Sequence, residues 1–281
     1  MKPPSSWTRP PSVDRHAPLS RFTFVVYVCR RRPARRGARG AARHVDARIA
    51  HAKSYPFPSP GHSFLYANGR TRKLDLGGFD RTGRAPVLAA GSNRSPEQIH
   101  RKYGDVPGEV VIPAQRARLH DFDVVYAAHL TAYGSVPATF QHSPGTVVEV
   151  FVLWLTQSQL ERMHATEGNY TYDRLGGLRL ELDGEDGAMS DAYAYCARFG
   201  CLNHAGTCVG IKEIFADKRR FPALGQIEAL KVVRDRFAPG TPVDTFVRQH
   251  LLDRVLHLER STGLGRDALP LAYPRTTLAS F

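Results

Sequence analysis

Residues 147–155 form an apolar run broken only by Glu149, and a run of that length predicts a β-strand. Further strands are predicted at 87–90, 117–127, 136–140, 178–182 and 192–197. Residues 63–70 followed by 73–76 predict a β-hairpin with an Asn68-Gly69 turn. Elsewhere the period is helical. Leu160, Met163 and Glu167 are spaced i, i+3, i+7 and share one helix face, with Gly168 as the expected stop and Ser158–Glu161 as the expected capping box. Ser95 with Gln98, and Pro96 between them, open another helix that should stop at Gly104. Two more helices are expected, at 226–237 and from 242 onward. The second has Thr241 as cap, Asp244 near its start and an apolar stripe of Val247, Leu251, Val255 and Leu258. Runs of strands with a few irregularly placed helices predict the α+β class, not a βαβ alternation, and no internal repeat is visible.

Charge refines this picture. The formal net charge is +13, which invites a nucleic-acid reading. Its distribution argues otherwise: residues 1–53 hold thirteen Lys/Arg and two Asp, whereas residues 54–281 hold 26 Lys/Arg against 24 Asp/Glu. The body is nearly neutral, so no nucleic-acid surface is expected on it. The first 53 residues, with Arg30, Arg31, Arg32, Arg35, Arg36 and Arg39 interleaved with Pro, Gly and Ala, predict a basic, disordered extension. We read it as non-functional; binding to an acidic partner, or targeting through the apolar stretch 22–29, are the other two readings. A hairpin with a Gly-rich connector (54–85) and a main domain with C-terminal helices (86–281) complete the expected division, a size that buries one core. No apolar segment is long enough to span a membrane, so a cytoplasmic protein is expected.

The candidate chemistry centres on Glu167. Placed at the end of a helix and on its apolar face, its carboxylate is expected to be desolvated and to face the negative end of the helix dipole. Both effects raise a carboxyl pKa toward the range of a proton shuttle. Upstream, Gly91-Ser92-Asn93 joins the 87–90 strand to a helix start, a turn that directs backbone N–H groups at one spot. Two further pieces follow in order: Ala138-Thr139-Phe140 leading to Ser143-Pro144-Gly145, and Glu167-Gly168 with Tyr172 and Arg174 beyond.

This ordered set resembles the γ-glutamylcyclotransferase-like superfamily over about residues 86 to 196. The resemblance implies a small mixed β-barrel-like sheet with flanking helices, to which the N-terminal hairpin is an addition. It implies Glu167 as general acid/base, and Gly91, Ser92 and Asn93, with Tyr172, as substrate-binding residues. The implied reaction cyclises a γ-glutamyl amine, amide or peptide to 5-oxoproline and needs neither cofactor nor metal. Two positions depart from the pattern. Ala90 stands where the family carries a Tyr, and Val150 where it carries a Gly. These departures keep an alternative open, a non-catalytic ligand-binding or interaction module on the same fold.

Other residues offer rival chemistry. Cys196, Cys201, His204 and Cys208 have ligand types that suit zinc, but a C-x2-C pair is missing, and unpaired thiols in a reducing cytosol are expected instead. Glu149 is the second candidate base, on a strand position whose alternation permits it to face solvent. Tyr170, Tyr193 and Tyr195 are candidate pocket hydroxyls, and Ser92 lacks a His/Asp partner nearby in sequence.

Overall fold

The computed structural model describes residues 38–281. The chain opens with helix α1 (Ala38–Lys53) and the hairpin β1 (Phe64–Ala67) and β2 (Arg70–Lys73), followed by β3 (Ala85–Ala89). A 3-10 turn (Ser92–Arg94) leads into α2 (Pro96–Tyr103). Two long strands come next, β4 (Val111–Tyr126) and β5 (Ala138–Leu155), then α3 (Gln157–His164), β6 (Tyr170–Leu182) and β7 (Met189–Ala197). Short strands β8 (Gly210–Ile211), β9 (Ala216–Asp217) and β10 (Ala223–Leu224) precede helices α4 (Gln226–Phe237), α5 (Val243–Leu252) and α6 (Arg254–Gly265), and β11 (Thr276–Ser280) ends the chain.

Strand pairing runs β4-β5-β3-β7-β6, and β6 returns to β4, closing a five-stranded barrel. Only the β3–β7 contact in that ring is parallel. The α+β class and barrel-like sheet expected from the sequence are therefore present. So is the hairpin, whose β1 pairs with the start of β4 and which turns through Asn68 (φ 47°) and Gly69 (φ 83°). Alternation along β5 separates two cores. Val148, Val150, Val152 and Trp154 belong to the cluster inside the barrel. Phe151, Leu153 and Leu155 belong to a second cluster with the hairpin, Ile99 and Tyr103 of α2, and Leu160 and Met163 of α3. That double burial is why 147–155 reads as an almost unbroken apolar run.

Several expectations are corrected. Residues 38–53 form α1 and are not disordered, because Ile49 and Ala52 are buried in the barrel cluster with Val45 packed against it. Surface pairs Lys53–Asp244 (2.8 Å) and Arg248–Asp46 (2.6 Å) join this helix to α5. The rest of the expected extension lies outside the described residues. The strands foreseen at 136–140 and 147–155 are one strand, with residues 143–146 lying opposite the single Asp121 between the His120–Val147 and Phe122–His142 pairs. The last predicted helix is two: Asp253 breaks it, its carboxylate accepting from Val255 N–H (2.9 Å) and Leu256 N–H (3.1 Å). Val255 is consequently 66 % exposed and Leu258 lies exposed too, so neither joins a stripe on the sheet. Pro242, not Thr241, occupies the N-cap of α5. Cys201 and Cys208 are joined in a disulfide across a seven-residue separation, with their Cα atoms 6.0 Å apart. That bond replaces the unpaired thiols expected at these positions. Cys196 is free and buried, its thiol pushed well up by burial and by the nearby Asp173 carboxylate. Among the described residues no helix is long and apolar enough to cross a membrane, and no group of three or more His, Cys, Asp or Glu side chains is placed to hold a metal.

Two buried histidines couple the fold to pH. Burial, with the neighbouring His257 adding to it, lowers the His129 imidazole to about 3, and burial lowers His250 to about 4. An unfolded chain protonates both near pH 6.5. Between about pH 6.5 and pH 4 the unfolded state thus binds more protons than the native one, so stability falls as pH falls, by up to about 1.4 kcal/mol per histidine per pH unit. A steady drop of the melting temperature on acidification through that window is expected, and His129→Phe should flatten part of the slope. A melting temperature constant from about pH 7 to pH 5 would contradict these two assignments.

Candidate active site

Glu167 owes its position to α3. A capping box made by Thr156 and Gln159 starts that helix, with Gln159 Oε1 accepting from Thr156 N–H (3.0 Å) and Thr156 Oγ1 from Gln159 N–H (3.4 Å). The Ser158–Glu161 box expected from sequence is therefore displaced by two residues. Leu160 and Met163 face inward as predicted. The helix itself ends at His164, three residues earlier than expected. Ala165 caps it with right-handed backbone, so Gly168 does not act as a left-handed stop. Tight bonds from Thr166 N–H to Met163 C=O (2.9 Å) and Glu167 N–H to His164 C=O (3.2 Å) continue the turn, and Tyr170 N–H donates to Glu167 C=O (2.9 Å). The backbone is held on both sides, and the side chain enters the interior at 7 % exposure.

The structure brings Glu167 to the Gly91–Asn93 turn. Asn93 Nδ2 donates to Glu167 Oε1 at 2.9 Å. The carboxylate is not solitary, however. Lys102 Nζ, equally buried, lies 2.5 Å from the same oxygen and 3.2 Å from Met163 Sδ. Lys102 was missed from sequence, although it shares the buried face of α2 with Ile99 and Tyr103, an odd place for an ammonium group. The foreseen capping pair at the start of α2 is half correct. Ser95 is the N-cap and Pro96 the first helical residue, but the Ser95 side chain makes no cap bond.

The turn that carries Ser92 and Asn93 is pressed against aromatic phenols. A Cβ at Gly91 would overlap the Tyr55 hydroxyl and stand 2.8 Å from Ala138 Cβ, so only glycine fits there. Tyr55 and Tyr133 come from segments that the sequence reading did not connect with the site. The Ser92 and Thr131 hydroxyls lie beside the Tyr133 phenol, which burial pushes up to about 12. Tyr170 donates from its hydroxyl to Ala138 C=O at 3.0 Å, and burial holds its pKa well above the ordinary phenol value, with Tyr55 and Glu167 adding to the shift. Three neutral phenols and one carboxylate thus surround the turn.

Tyr172, the fourth substrate-binding candidate, sits a rung further along β6. Its ring stacks on Tyr193 with centroids 5.2 Å apart and meets the His164 ring at 4.8 Å, in a cluster where the Tyr195 hydroxyl bonds to His164 Nδ1 (2.7 Å). Tyr170 and Tyr195 are strand tyrosines whose phenols the Glu167 charge helps to raise, after burial. Glu149, the second candidate base, is paired with Arg116 at 2.5 Å and is absent from this cluster. Val150 is fully buried inside the barrel, and Ala90 lies in the same apolar cluster as Tyr55.

The closed barrel thus carries a buried carboxylate held against the Asn93 side chain of the Gly-Ser-Asn turn. No protein-family profile and no curated protein sequence matches the chain. Two solved structures are similar to it in fold. One is the solution structure of At5g39720.1 from Arabidopsis thaliana, at 16 % identity, covering 64 % of this chain and 95 % of that one with a TM-score of 0.31. The other is a gamma-glutamyl cyclotransferase, at 18 % identity, covering 69 % of this chain and 93 % of that one, also with a TM-score of 0.31.

Proposed function

We propose that the protein is a cyclotransferase that converts a γ-glutamyl amine, amide or peptide into 5-oxoproline and the free amine. The observation that carries the reading is the contact between Asn93 and the buried Glu167 carboxylate. It sets a proton acceptor beside the turn expected to hold the γ-glutamyl group. Glu167 takes a proton from the substrate's α-ammonium group. The freed amine attacks the γ-carbonyl carbon, forming the ring C–N bond, and the original amide C–N bond breaks. The departing amine takes both the proton held by Glu167 and the one that the ring nitrogen sheds on becoming an amide, and it leaves as an ammonium ion. Holding both ends of one molecule in a folded geometry lowers the barrier by several kcal/mol. Lys102 and Asn93 fix the carboxylate's orientation. Every group this route uses belongs to the chain or to the substrate.

Incubation of the full chain with a panel of γ-glutamyl amines, amides and dipeptides, followed by mass spectrometry for 5-oxoproline, tests the reading. Release of 5-oxoproline and amine in equal amounts from at least one member is expected; no release from any member rejects it. A second reading, a ligand-binding module without turnover, is favoured by the Tyr55 hydroxyl lying against Gly91. Such a module would show thermal stabilisation by a γ-glutamyl compound with no amine released.

A further inference from the structure

Tyr55 has no part in the reaction described above, yet its hydroxyl occupies a chemically distinctive spot. The side chain is 2 % exposed, in the barrel cluster with Ala90 and Val150. Ala138 N–H donates to its oxygen at 2.7 Å, and the Ser92 backbone amide lies toward the same oxygen. One main-chain donor, the Ala138 N–H, therefore bonds to this oxygen and a second, the Ser92 N–H, lies near it, against the bare backbone of Gly91. Such a pair suits a carbonyl or carboxylate oxygen.

Beside it is a cation without an acceptor. Arg94, next in sequence to Asn93, is 8 % exposed, and its Nε and Nη1 have no hydrogen-bond partner among the described residues. The Glu149 carboxylate offsets part of its charge, while Arg116 opposes it, and no ion pair reaches Arg94 among the described residues. Asn93 Oδ1, Ser95 Oγ and Gln98 Oε1, all within the same six-residue stretch, are buried without partners as well. Native structures rarely leave a buried guanidinium unpaired, and its planar fork matches a carboxylate.

We propose that the Tyr55 hydroxyl stands in for a carboxylate oxygen of the ligand, in a subsite formed by the Ser92 and Ala138 N–H groups and Arg94. The segment carrying Tyr55 then competes with the ligand for its own site. The subsite follows from the contacts; only the identity of its carboxylate, the α-carboxylate of a γ-glutamyl group, rests on the function proposed above. Displacing Tyr55 gives Arg94 the acceptor it lacks and leaves the α-amine facing the Asn93 and Glu167 side of the turn.

The test uses full-length chains carrying Tyr55→Phe, Tyr55→Gly, and each combined with Arg94→Met, titrated calorimetrically with 5-oxoproline and with its carboxamide. Tyr55→Phe deletes only the oxygen and serves as the deciding variant if Tyr55→Gly does not melt cooperatively. Binding of 5-oxoproline at least ten-fold tighter than to the unaltered chain is expected, with the gain cancelled by Arg94→Met and absent for the carboxamide. No gain, or an equal gain for the carboxamide, overturns the subsite. Turnover is read separately. The binding pattern without 5-oxoproline formation keeps the subsite and removes the cyclotransferase; turnover without the pattern does the reverse.

Discussion

Glu167→Gln is expected to leave the chain folded and to slow 5-oxoproline formation by roughly 10²–10⁴-fold, the range for removing a general acid/base. Glutamine keeps the volume, and its carbonyl oxygen still accepts from Asn93 and Lys102, so the surroundings of Oε1 persist. What disappears is the ability to take and return a proton. The loss should fall on kcat, because the variant still presents the Gly91–Asn93 turn to the substrate. Matching melting curves for the two proteins, together with single-turnover assays, separate lost chemistry from lost structure. Turnover equal to that of the unaltered chain would strip Glu167 of its role.

Lys102→Met is expected to cost about 3–5 kcal/mol of stability, the effect of removing one member of a buried ion pair. Both side chains are almost fully enclosed, with relative accessibilities of 8 % and 9 %. Without Lys102 the Glu167 carboxylate keeps the Asn93 amide but has no counter-charge. Methionine restores most of the lysine's volume, so the loss should not come from a cavity. The double variant Lys102→Met, Glu167→Gln should recover most of the loss, because a neutral amide needs no cation beside it. Urea unfolding of the four proteins gives the coupling energy directly. A single-variant loss below about 1 kcal/mol would mean that the pair behaves as a solvated surface contact.

Much of the barrel was legible in the chain, and so was the meeting of Glu167 with the Gly-Ser-Asn turn. The apolar run of β5 and the Asn68-Gly69 turn carry strong local signals, and burial does the rest. Capping was legible only in kind. Thr156–Gln159 and Ser158–Glu161 both satisfy the spacing of a capping box, and the earlier pair wins where β5 ends at Leu155. At α6 the Asp253 carboxylate outweighed a plausible apolar period. The site was legible where the motif order spoke and silent where it did not. Nothing in local sequence brings residue 55 to residue 91; that contact follows from α1 docking beside α5 at the barrel. Nor does spacing pair Cys201 with Cys208, whose approach depends on the Ala127–Cys201 and Cys201–Leu269 bridges.

The hairpin has a bearing on how copies of this protein meet. Closing the barrel hides most strand edges, but among the described residues β2 pairs only with β1. Its sequence is Arg70-Thr71-Arg72-Lys73, exposed throughout. A strand free to recruit a neighbour therefore presents three like charges, and two such strands brought side by side repel each other. At this rim of the sheet the chain has made an open strand poorly adhesive.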